Sequence, residues 1–129
     1  MVVFVDTSAF LALIEPADEQ HAAAVRLWAR LHAEERVTTS YVVVETIALL
    51  QRRYGFAAVD AFRSFERLVE VIWVDRALHD AGVAIWDAQR RRQLSLVDCV
   101  SFAAITQSRA DAAFAFDLHF PDQGFSLLA

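Results

Sequence analysis

Short apolar runs alternate with longer amphipathic stretches along the chain, and this alternation predicts strands separated by helices. The first run, Val2–Val5, is rich in β-branched residues and has no polar position, as expected for a central strand covered on both faces. Similar runs predict strands over residues 36–39, 71–74 and 113–116, with a final edge strand over residues 125–128. Helices are predicted over residues 9–14, 41–53, 56–69, 76–92 and 96–109, together with one that opens near residue 18.

The order of these elements predicts an α/β fold, with a mainly parallel central sheet of four to five strands and helices on both faces. Right-handed crossovers would bring the carboxyl ends of the strands to one rim of the sheet. Ligands of open α/β sheets bind at that rim, so polar residues just after a strand are the first candidates for function. With 129 residues, the chain is expected to form a single domain over residues 1–129.

Local signals predict where the helices begin and which side chains they bury. Thr7 and Ser8 are predicted to cap the first helix, and Ser40 is predicted to cap the helix over residues 41–53. In the helix over residues 76–92, Trp86 is predicted to face the core. Polar residues that these assignments do not use remain as candidates for chemistry.

Four carboxylates stand out from the pattern. Asp6 ends the first strand, and Asp117 follows the last long one in the same way. Glu45 interrupts an otherwise apolar helix, where an acid is rarely buried without a partner or a metal. Asp98 stands at the start of another strongly apolar helix. All four positions lie at strand ends or near helix starts, the elements that converge on one rim.

Each acid also has a structural explanation. Asp6 could be a helix cap only, and Asp117 could be a turn residue. Asp98 could complete a capping box that begins at Ser95, and Glu45 could be a structural acid with its hydrogen bonds satisfied. Asp75 also ends a strand and is interpreted as an ordinary helix cap.

Taken together, the four carboxylates favour a metal centre. Oxygen ligands without neighbouring histidine or thiolate suit hard cations such as Mg²⁺ or Mn²⁺. Four carboxylates in one cleft would repel each other strongly unless a metal were present. A metal held in this way can activate water and stabilise charge on a phosphoryl group, which points to phosphodiester hydrolysis.

Composition narrows the classes of function. Apolar residues make up 57% of the chain, which suggests that a partner or a second copy covers part of the surface. The net charge of −5 argues against a simple basic nucleic-acid-binding module, but not against a nuclease whose acidic centre is offset by metal. Cys99 is the only cysteine, so an intrachain disulfide is excluded. We expect no signal peptide and no membrane span, and therefore a cytoplasmic protein.

Positive charge is concentrated in two arginine clusters, Arg52-Arg53 and Arg90-Arg91-Arg92. Phosphate contacts carry much of the affinity for RNA, so both clusters are candidates for contacting an RNA substrate. The alternative is a solvated helix end that the helix macrodipole favours. The sequence does not place either cluster on the acidic rim.

Four segments contain the candidate acids and their neighbours. They are Val5-Asp-Thr-Ser8, Thr39-Ser-Tyr-Val-Val-Val-Glu-Thr46, Leu94-Ser-Leu-Val-Asp-Cys-Val-Ser-Phe-Ala103 and Phe114-Ala-Phe-Asp-Leu-His-Phe120. As an ordered set they resemble the PIN-domain ribonucleases, and within them the VapC-like toxins of bacterial type II toxin–antitoxin pairs. The segments span nearly the whole chain, in the family's order and spacing, so the set is specific although no segment is decisive alone.

The resemblance implies a PIN-like three-layer α/β/α fold and an endoribonuclease that cleaves single-stranded or structured RNA. It implies that one or two Mg²⁺ or Mn²⁺ ions are held by an acidic quartet of Asp6, Glu45, Asp98 and Asp117. Thr7, or the nearby Ser8, would support the first aspartate. Ser101, one helical turn beyond the third acid, can reach the same rim. Family members commonly form homodimers and bind a cognate antitoxin, so both are expected partners.

Two positions differ from the family's usual pattern. Val97 stands where a hydroxyl residue often precedes the third acid, and His119 stands where related sequences sometimes have another acid. His119 could contact substrate or metal, but it is interpreted as a surface histidine. The aromatic residues Phe56, Phe62 and Phe65 resemble one wall of the antitoxin groove, with core packing as the alternative for at least one ring.

Two other functions are compatible with the fold. An α/β phosphatase could use Asp6 as a nucleophile, but Ser8 occupies the position where a second aspartate is usual, and the chain has no lysine to bind phosphate. A PIN-fold binding module without catalysis is the other alternative. Loss of one acid would have supported that function, and all four acids are present.

Overall fold

We describe the protein from a computed structural model that covers all of residues 1–129. Its strands are β1 (Val2–Val5), β2 (Glu35–Thr39), β3 (Glu70–Ile72) and β4 (Ala112–Phe114). Its helices are α1 (Thr7–Ile14), α2 (His21–Ala29), α3 (Ser40–Tyr54), α4 (Phe56–Glu66), α5 (Arg76–Gln89), α6 (Leu96–Ser108) and α7 (His119–Asp122).

All four strands form one parallel sheet in the order β3-β2-β1-β4. β1 lies inside the sheet, where Phe4 pairs with Val37 on one side and with Ala113 on the other. Because the strands run in the same direction, their carboxyl ends meet at one rim, as the sequence predicted. The predicted α/β class and the parallel sheet are confirmed.

β1 is the centre of the hydrophobic core. Val3, Phe4 and Val5 have no exposed surface, which explains why the run contains no polar residue. Burial of each such side chain stabilises the fold by about 1.5–3 kcal/mol. The next residue, Asp6, is tied to the neighbouring strand because its backbone N–H donates to the carbonyl of Phe114 at 3.0 Å. The strand therefore fixes where the first candidate acid lies.

Helices α5 and α6 approach each other so closely that one point of contact has no room for a side chain. A Cβ atom added to Gly82 of α5 would lie 2.4 Å from Val100 Cγ2 and 2.9 Å from the backbone nitrogen of Val100 on α6. Glycine at this crossing lets α6 lie against α5. The crossing thereby helps to position the start of α6, where Asp98 lies.

The residues that cap two helices differ by one position from the prediction. Asp6 caps α1, which begins at Thr7, and its side chain accepts from the N–H of Ser8. Thr39 caps α3, which begins at Ser40. In both cases the residue that ends the extended segment is also the cap, because the helix follows the strand without a linker.

Two predictions about solvent-facing parts of the fold are wrong. Residues 125–128 do not form a strand, since the segment makes only one bridge, between Ala113 and Leu127. Trp86 is 40% exposed rather than buried. It continues the stripe of α5 that contains the buried Leu78 and Gly82, but it lies at the end of α5, beside the loop that precedes α6.

The three aromatic residues compared with an antitoxin groove have three different environments. Phe62 is buried and packs edge-to-face against Phe10, with ring centroids 4.9 Å apart. Phe65 packs in the same way against Trp28, with centroids 5.2 Å apart. Only Phe56, which is 69% exposed, is free to contact a partner. No helix combines the length and the hydropathy that crossing a bilayer demands.

Candidate active site

The four candidate acids line one pocket at the carboxyl rim of the sheet, with a volume of about 300 Å³. We call it the acidic pocket. Its lining residues are Asp6, Thr7, Ser8, Leu11, Glu45, Gln93, Ser95, Asp98 and Asp117. The acids come from the end of β1, from α3, from the first turn of α6 and from the segment after β4. The structure therefore brings together residues that are far apart in the sequence.

Asp6 is the most buried of the four acids, with 4% of its surface exposed. Its Oδ2 atom accepts two hydrogen bonds, one from the backbone N–H of Ser8 at 3.1 Å and one from the Ser8 hydroxyl at 2.7 Å. The Oδ1 atom has no hydrogen-bond partner, so one oxygen caps α1 and the other remains available to a ligand. The cap explanation and the functional explanation of Asp6 are thus compatible.

Ser8 connects the first acid to the last. Its hydroxyl donates to Asp6 and at the same time accepts from the backbone N–H of Phe116 at 2.9 Å. Phe116 directly precedes Asp117, so one hydroxyl sets the spacing between the ends of β1 and β4. Of the two residues expected to support Asp6, it is Ser8 that contacts the carboxylate.

Thr7 faces the second acid instead. The hydroxyl of Thr46 on α3 donates to the Thr7 hydroxyl at 3.2 Å, and both residues are buried. The Thr7 proton is then free to interact with Glu45, and this interaction lowers the pKa of Glu45. Burial has the larger and opposite effect, and the charges of Asp98 and Asp117 add to it, so the pKa of Glu45 is raised.

Asp98 is the N3 residue of a capping box. Its Oδ2 atom accepts from the backbone N–H of Ser95 at 3.2 Å, and its own N–H donates to the Ser95 hydroxyl at 3.1 Å. The predicted capping box is confirmed, and it leaves Oδ1 without a partner. As at Asp6, one carboxylate oxygen begins the helix while the other is free.

Asp117 lies beside His119, and the prediction that His119 is a surface residue is wrong. The backbone N–H of His119 donates to Asp117 Oδ1 at 2.9 Å. The ring places Nδ1 3.0 Å from the same oxygen and 3.9 Å from Asp98 Oδ2, and its side chain is only 21% exposed. This buried nitrogen has no hydrogen-bond partner in suitable geometry. One ligand atom from each of these three residues lies within 4.8 Å of the others.

Burial, together with repulsion from neighbouring carboxylates, raises the pKa of three acids of the pocket, Asp6, Glu45 and Asp98. Burial raises the pKa of Asp6 to about 7, the charges of Asp98 and Asp117 add to this, and the two hydrogen bonds from Ser8 oppose it. Burial also raises the pKa of Asp98, with a further contribution from Asp117, against the hydrogen bonds from Ser95 and the charge of His119. Proton retention of this kind is expected where carboxylates are arranged for a cation.

The donor atoms of the pocket suit a divalent metal ion. Free carboxylate oxygens of Asp6, Asp98 and Asp117 face the same cavity, and the unpartnered ring nitrogen of His119 lies at its edge. Mainly oxygen donors with several negative charges are typical of Mg²⁺ and Mn²⁺ sites. Ser101, by contrast, is fully buried on α6 and does not line the pocket; its hydroxyl has no partner.

The model of the PIN domain family matches residues 3–125 of the chain. The chain belongs to the PIN domain family. It is 36% identical over 127 residues to the 23S rRNA-specific endonuclease VapC20 of Mycobacterium tuberculosis, and the alignment covers 96% of this chain and 95% of the relative. The resemblance to VapC-like PIN proteins is confirmed.

Solved structures of PIN proteins have the same fold. The crystal structure of Mycobacterium tuberculosis VapC20, described as a sarcin–ricin loop cleaving toxin, matches with a TM-score of 0.88 at 34% identity and covers 95% of both chains. VapBC2 of Rickettsia felis, bound to a DNA fragment from its promoter, matches with a TM-score of 0.76, covering 98% of this chain and 97% of that one. At 10% identity, the second match shows the fold alone. The PIN-like α/β/α fold is thus confirmed.

Sequence reasoning missed several residues that line or support the acidic pocket. Ser95, Gln93 and Leu11 line the pocket, and Thr46 supports Thr7, yet none of the four was a candidate for function. Only Ser95 had a signal, the capping-box spacing to Asp98. The others depend on how α1, α3 and the loop before α6 meet, which local sequence does not encode.

Proposed function

We propose that the protein is a metal-dependent endoribonuclease that hydrolyses phosphodiester bonds of RNA. The observation that carries the proposal is the acidic pocket, in which Asp6, Asp98 and Asp117 each keep a carboxylate oxygen free of hydrogen bonds. The VapC20 relative, 36% identical over 127 residues, is named as an endonuclease specific for 23S rRNA, which supports RNA as the substrate.

The residues that would hold the metal are Asp6, Glu45, Asp98 and Asp117, with Mg²⁺ or Mn²⁺ as the ion. When bound, such an ion supplies charge neutralisation at the phosphoryl group and lowers the pKa of water. The chain's own part is to fix the ligands: Ser8 orients Asp6, Ser95 orients Asp98, and each does so through one oxygen only. Preorganised ligands cost little to arrange at the moment of reaction.

The mouth of the pocket supplies neutral polar groups for the substrate. Gln93 and Ser95 line it together with the acids, and Leu11 contributes the one apolar side chain. Thr7 and Ser101 remain proposals as supporting residues: Thr7 acts on Glu45, and Ser101 has an unpartnered hydroxyl one turn beyond Asp98. Gln93 and Ser95 would orient an RNA strand beside the acids without adding charge. Ser101 is fully buried and would act only within α6.

The alternatives are less well supported by the geometry. A phosphatase that uses Asp6 as a nucleophile needs an acid two residues later, and Ser8 at that position hydrogen-bonds Asp6 itself. A binding module without catalysis would have no need for three acids, Asp6, Glu45 and Asp98, whose pKa values are raised by burial and by neighbouring carboxylates in a single pocket.

The test is cleavage of labelled RNA by the purified protein in Mg²⁺, in Mn²⁺ and in EDTA. A sarcin–ricin loop hairpin is included because that RNA is named for the VapC20 structure. We expect cleavage that requires metal and is lost in Asp6→Ala. Asp75→Ala is the matched control, because Asp75 also follows a strand and caps a helix but lies outside the acidic pocket.

Calorimetric titration with Mn²⁺ accompanies the cleavage assay. Metal binding that disappears in Asp6→Ala and persists in Asp75→Ala supports the proposal. Absence of both cleavage and metal binding from folded wild-type protein would refute it. Release of phosphate from small esters, without RNA cleavage, would favour the phosphatase.

We further propose that the protein is the toxin of a toxin–antitoxin pair and forms a homodimer. Several large apolar side chains are exposed and would suit such contacts: Val44, Tyr54, Phe56, Leu68, Trp73 and Leu118. So many exposed large apolar side chains on a small protein suggest surfaces that a partner covers. Action on ribosomal RNA would place the protein in the cytoplasm. Light scattering on the protein alone and with its cognate antitoxin tests both assemblies; a monomer that binds no antitoxin contradicts them.

A further inference from the structure

A second cleft adjoins the acidic pocket and carries positive charge. It has a volume of about 350 Å³, within the usual range for ligand sites. We call it the arginine cleft, and its lining residues are Trp86, Arg90, Arg91, Arg92, Leu94 and Ser95. Ser95 lines both cavities, and Gln93 of the same loop lines the acidic pocket. The six-residue loop between α5 and α6 is therefore the wall that separates them.

Two of the three arginines have no protein partner. Arg90 makes a salt bridge to Asp87 at 2.8 Å, and its guanidinium lies 5.8 Å from the centre of the Trp86 ring. Arg91 and Arg92 are exposed and make no salt bridge and no side-chain hydrogen bond. In a protein of net charge −5, two unpaired guanidinium groups next to an acidic pocket are suited to an anionic ligand.

The loop that presents these charges is held in one position. Arg90 has a left-handed backbone with φ of 47°, and its N–H donates to the carbonyl of Trp86 at 3.0 Å. Leu94 is 2% exposed and its N–H donates to the carbonyl of Arg91 at 3.0 Å. Ser95 then enters the capping box with Asp98. The backbone that carries the arginines is thus fixed relative to Asp98, one of the candidate metal ligands.

Trp86 adds a stacking surface to this charged cleft. Its ring is 40% exposed and lies beside Arg90, Leu94 and Ser95. Exposed aromatic rings next to arginines are how proteins hold unpaired bases, since the base stacks on the ring while the phosphates contact the cations. A docking site for an acidic protein segment would not require the aromatic face.

We propose that the arginine cleft is the subsite for a nucleotide next to the bond that is cleaved. Trp86 stacks on the base, Arg91 and Arg92 bind the adjoining backbone phosphates, and Arg90 holds the Trp86 ring. The strand then passes over Ser95 into the acidic pocket. This inference rests on the proposed ribonuclease function and assigns its substrate contacts to one loop.

The test compares two double variants that remove the same charge from different clefts. Arg91→Ala/Arg92→Ala removes two of the three arginines from the arginine cleft. Arg63→Ala/Arg67→Ala removes one arginine of α4 and the residue that caps its C-terminus, which line a separate cleft with Asp60 and Ser64. KM and kcat are measured on the sarcin–ricin hairpin in Mn²⁺. We expect KM to rise roughly tenfold for the first variant, with kcat within about twofold, because phosphate contacts carry affinity. A plot of log affinity against log salt concentration should become less steep, with its slope changing by about 1.4, because two phosphate contacts are lost.

Stacking of a base on Trp86 is tested separately by tryptophan fluorescence. RNA added in EDTA should quench tryptophan fluorescence, and this quenching should be lost in Trp86→Leu. In Mn²⁺, the KM of Trp86→Leu should be roughly tenfold higher than that of the wild type. Trp86→Phe should keep most of the affinity because a ring is retained. Thermal melting and Mn²⁺ titration of each variant check that the fold and the acidic pocket are intact.

The outcomes separate the subsite from the ribonuclease function. Wild-type protein that cleaves RNA, with unchanged KM in the first double variant, overturns the subsite alone. Equal losses in both double variants also overturn it, since positive charge would then act without a defined position. A first double variant that keeps its KM for RNA but no longer binds the antitoxin assigns the cleft to the protein partner instead. Wild-type protein that neither binds nor cleaves RNA removes the ribonuclease function and the subsite together.

Discussion

The acidic pocket and the arginine cleft share Ser95 but are built in different ways. The acids come from four separate parts of the chain, and Asp6, Asp98 and Asp117 are each held by a hydrogen bond to one carboxylate oxygen. The arginines come from one short loop, and two of them make no side-chain hydrogen bond or salt bridge.

The difference follows from what each region has to do. Metal ligands must meet at short, fixed distances, so their positions are set by the backbone of a parallel sheet and by the hydroxyls of Ser8 and Ser95. Phosphate contacts tolerate variation in position, so a loop with long, flexible side chains is sufficient. Replacing an acid should therefore lower kcat, whereas replacing an arginine should raise KM.

The largest effect is expected from Asp117→Ala. Removing one acid should lower kcat by roughly a thousandfold, the scale for losing a group that stabilises transition-state charge. Melting temperature should change little, because the Asp117 side chain is 30% exposed. Asp122→Ala, five residues later in α7 and outside the pocket, is the control. Equal kcat values for the two variants would contradict the assignment.

The pH dependence of stability should distinguish the acidic pocket from the rest of the molecule. In metal-free protein, folded Asp6 keeps its proton up to about pH 7, whereas the unfolded chain releases it near the ordinary value of 3.8. The contribution of Asp6 to stability should therefore be fully present below pH 3.8 and should be lost as the pH rises to about 7. A shift of this size corresponds to roughly 4 kcal/mol, and Glu45 and Asp98 act in the same direction.

Urea denaturation in EDTA at several pH values measures this slope. Asp6→Asn cannot ionise, so it should remove most of the slope and stabilise the metal-free protein above pH 7. Mn²⁺ should oppose the destabilisation of the wild type at high pH, because a bound cation favours ionised acids. An unchanged slope in Asp6→Asn would show that other groups govern it.

Gly82→Ala should affect the acidic pocket and the arginine cleft together. The added methyl group would clash with Val100, so α5 and α6 must separate, at a cost of about 1–3 kcal/mol. The value of kcat should then fall and KM should rise, because Asp98 lies in the first turn of α6 and the loop over residues 90–95 directly precedes that helix. Ala84→Gly, exposed on the same helix, is the control and should cost about 1 kcal/mol through helix propensity alone. Urea denaturation and steady-state kinetics measure the two effects, and unchanged stability would contradict the clash.

The smallest effect is expected from His119→Ala. An imidazole nitrogen near Asp98 and Asp117 favours transition-metal ions over Mg²⁺, so its removal should lower Mn²⁺ affinity by roughly tenfold and Mg²⁺ affinity less. His32→Ala, which removes an exposed histidine, is the control. Calorimetric titration with both ions measures the ratio of affinities, and a ratio that does not change would exclude His119 as a ligand.

Much of the fold could be predicted because β1 and the helices have strong hydrophobic patterns. The positions of Asp6 and Asp117 follow from the same patterns, since each comes just after a parallel strand. Glu45 was conspicuous as a charge in an apolar helix. The predicted caps of α1 and α3 are one residue too late in the chain. Asp6 directly follows β1 and Thr39 ends β2, and each of them also caps the next helix.

The sequence could not place features that depend on how distant elements meet. Trp86 has the spacing of a buried residue, but α6 starts too late to cover it. His119 is the first residue of α7, a helix too short to show a periodicity, and its side chain is half-buried because it lies beside Asp98 and Asp117. The arginines were recognised by charge, yet their position beside the acidic pocket depends on the end of α5.

The strand order β3-β2-β1-β4 has a consequence for how the protein is made. The first strand synthesised lies inside the sheet, and its outer neighbour, β4, is the last strand to leave the ribosome. Asp117 follows β4 and is tied to Asp6 through Ser8 and Phe116. A growing chain has no complete set of these acids until residue 117 has emerged. The proposed active site is therefore completed only after all four strands have been synthesised.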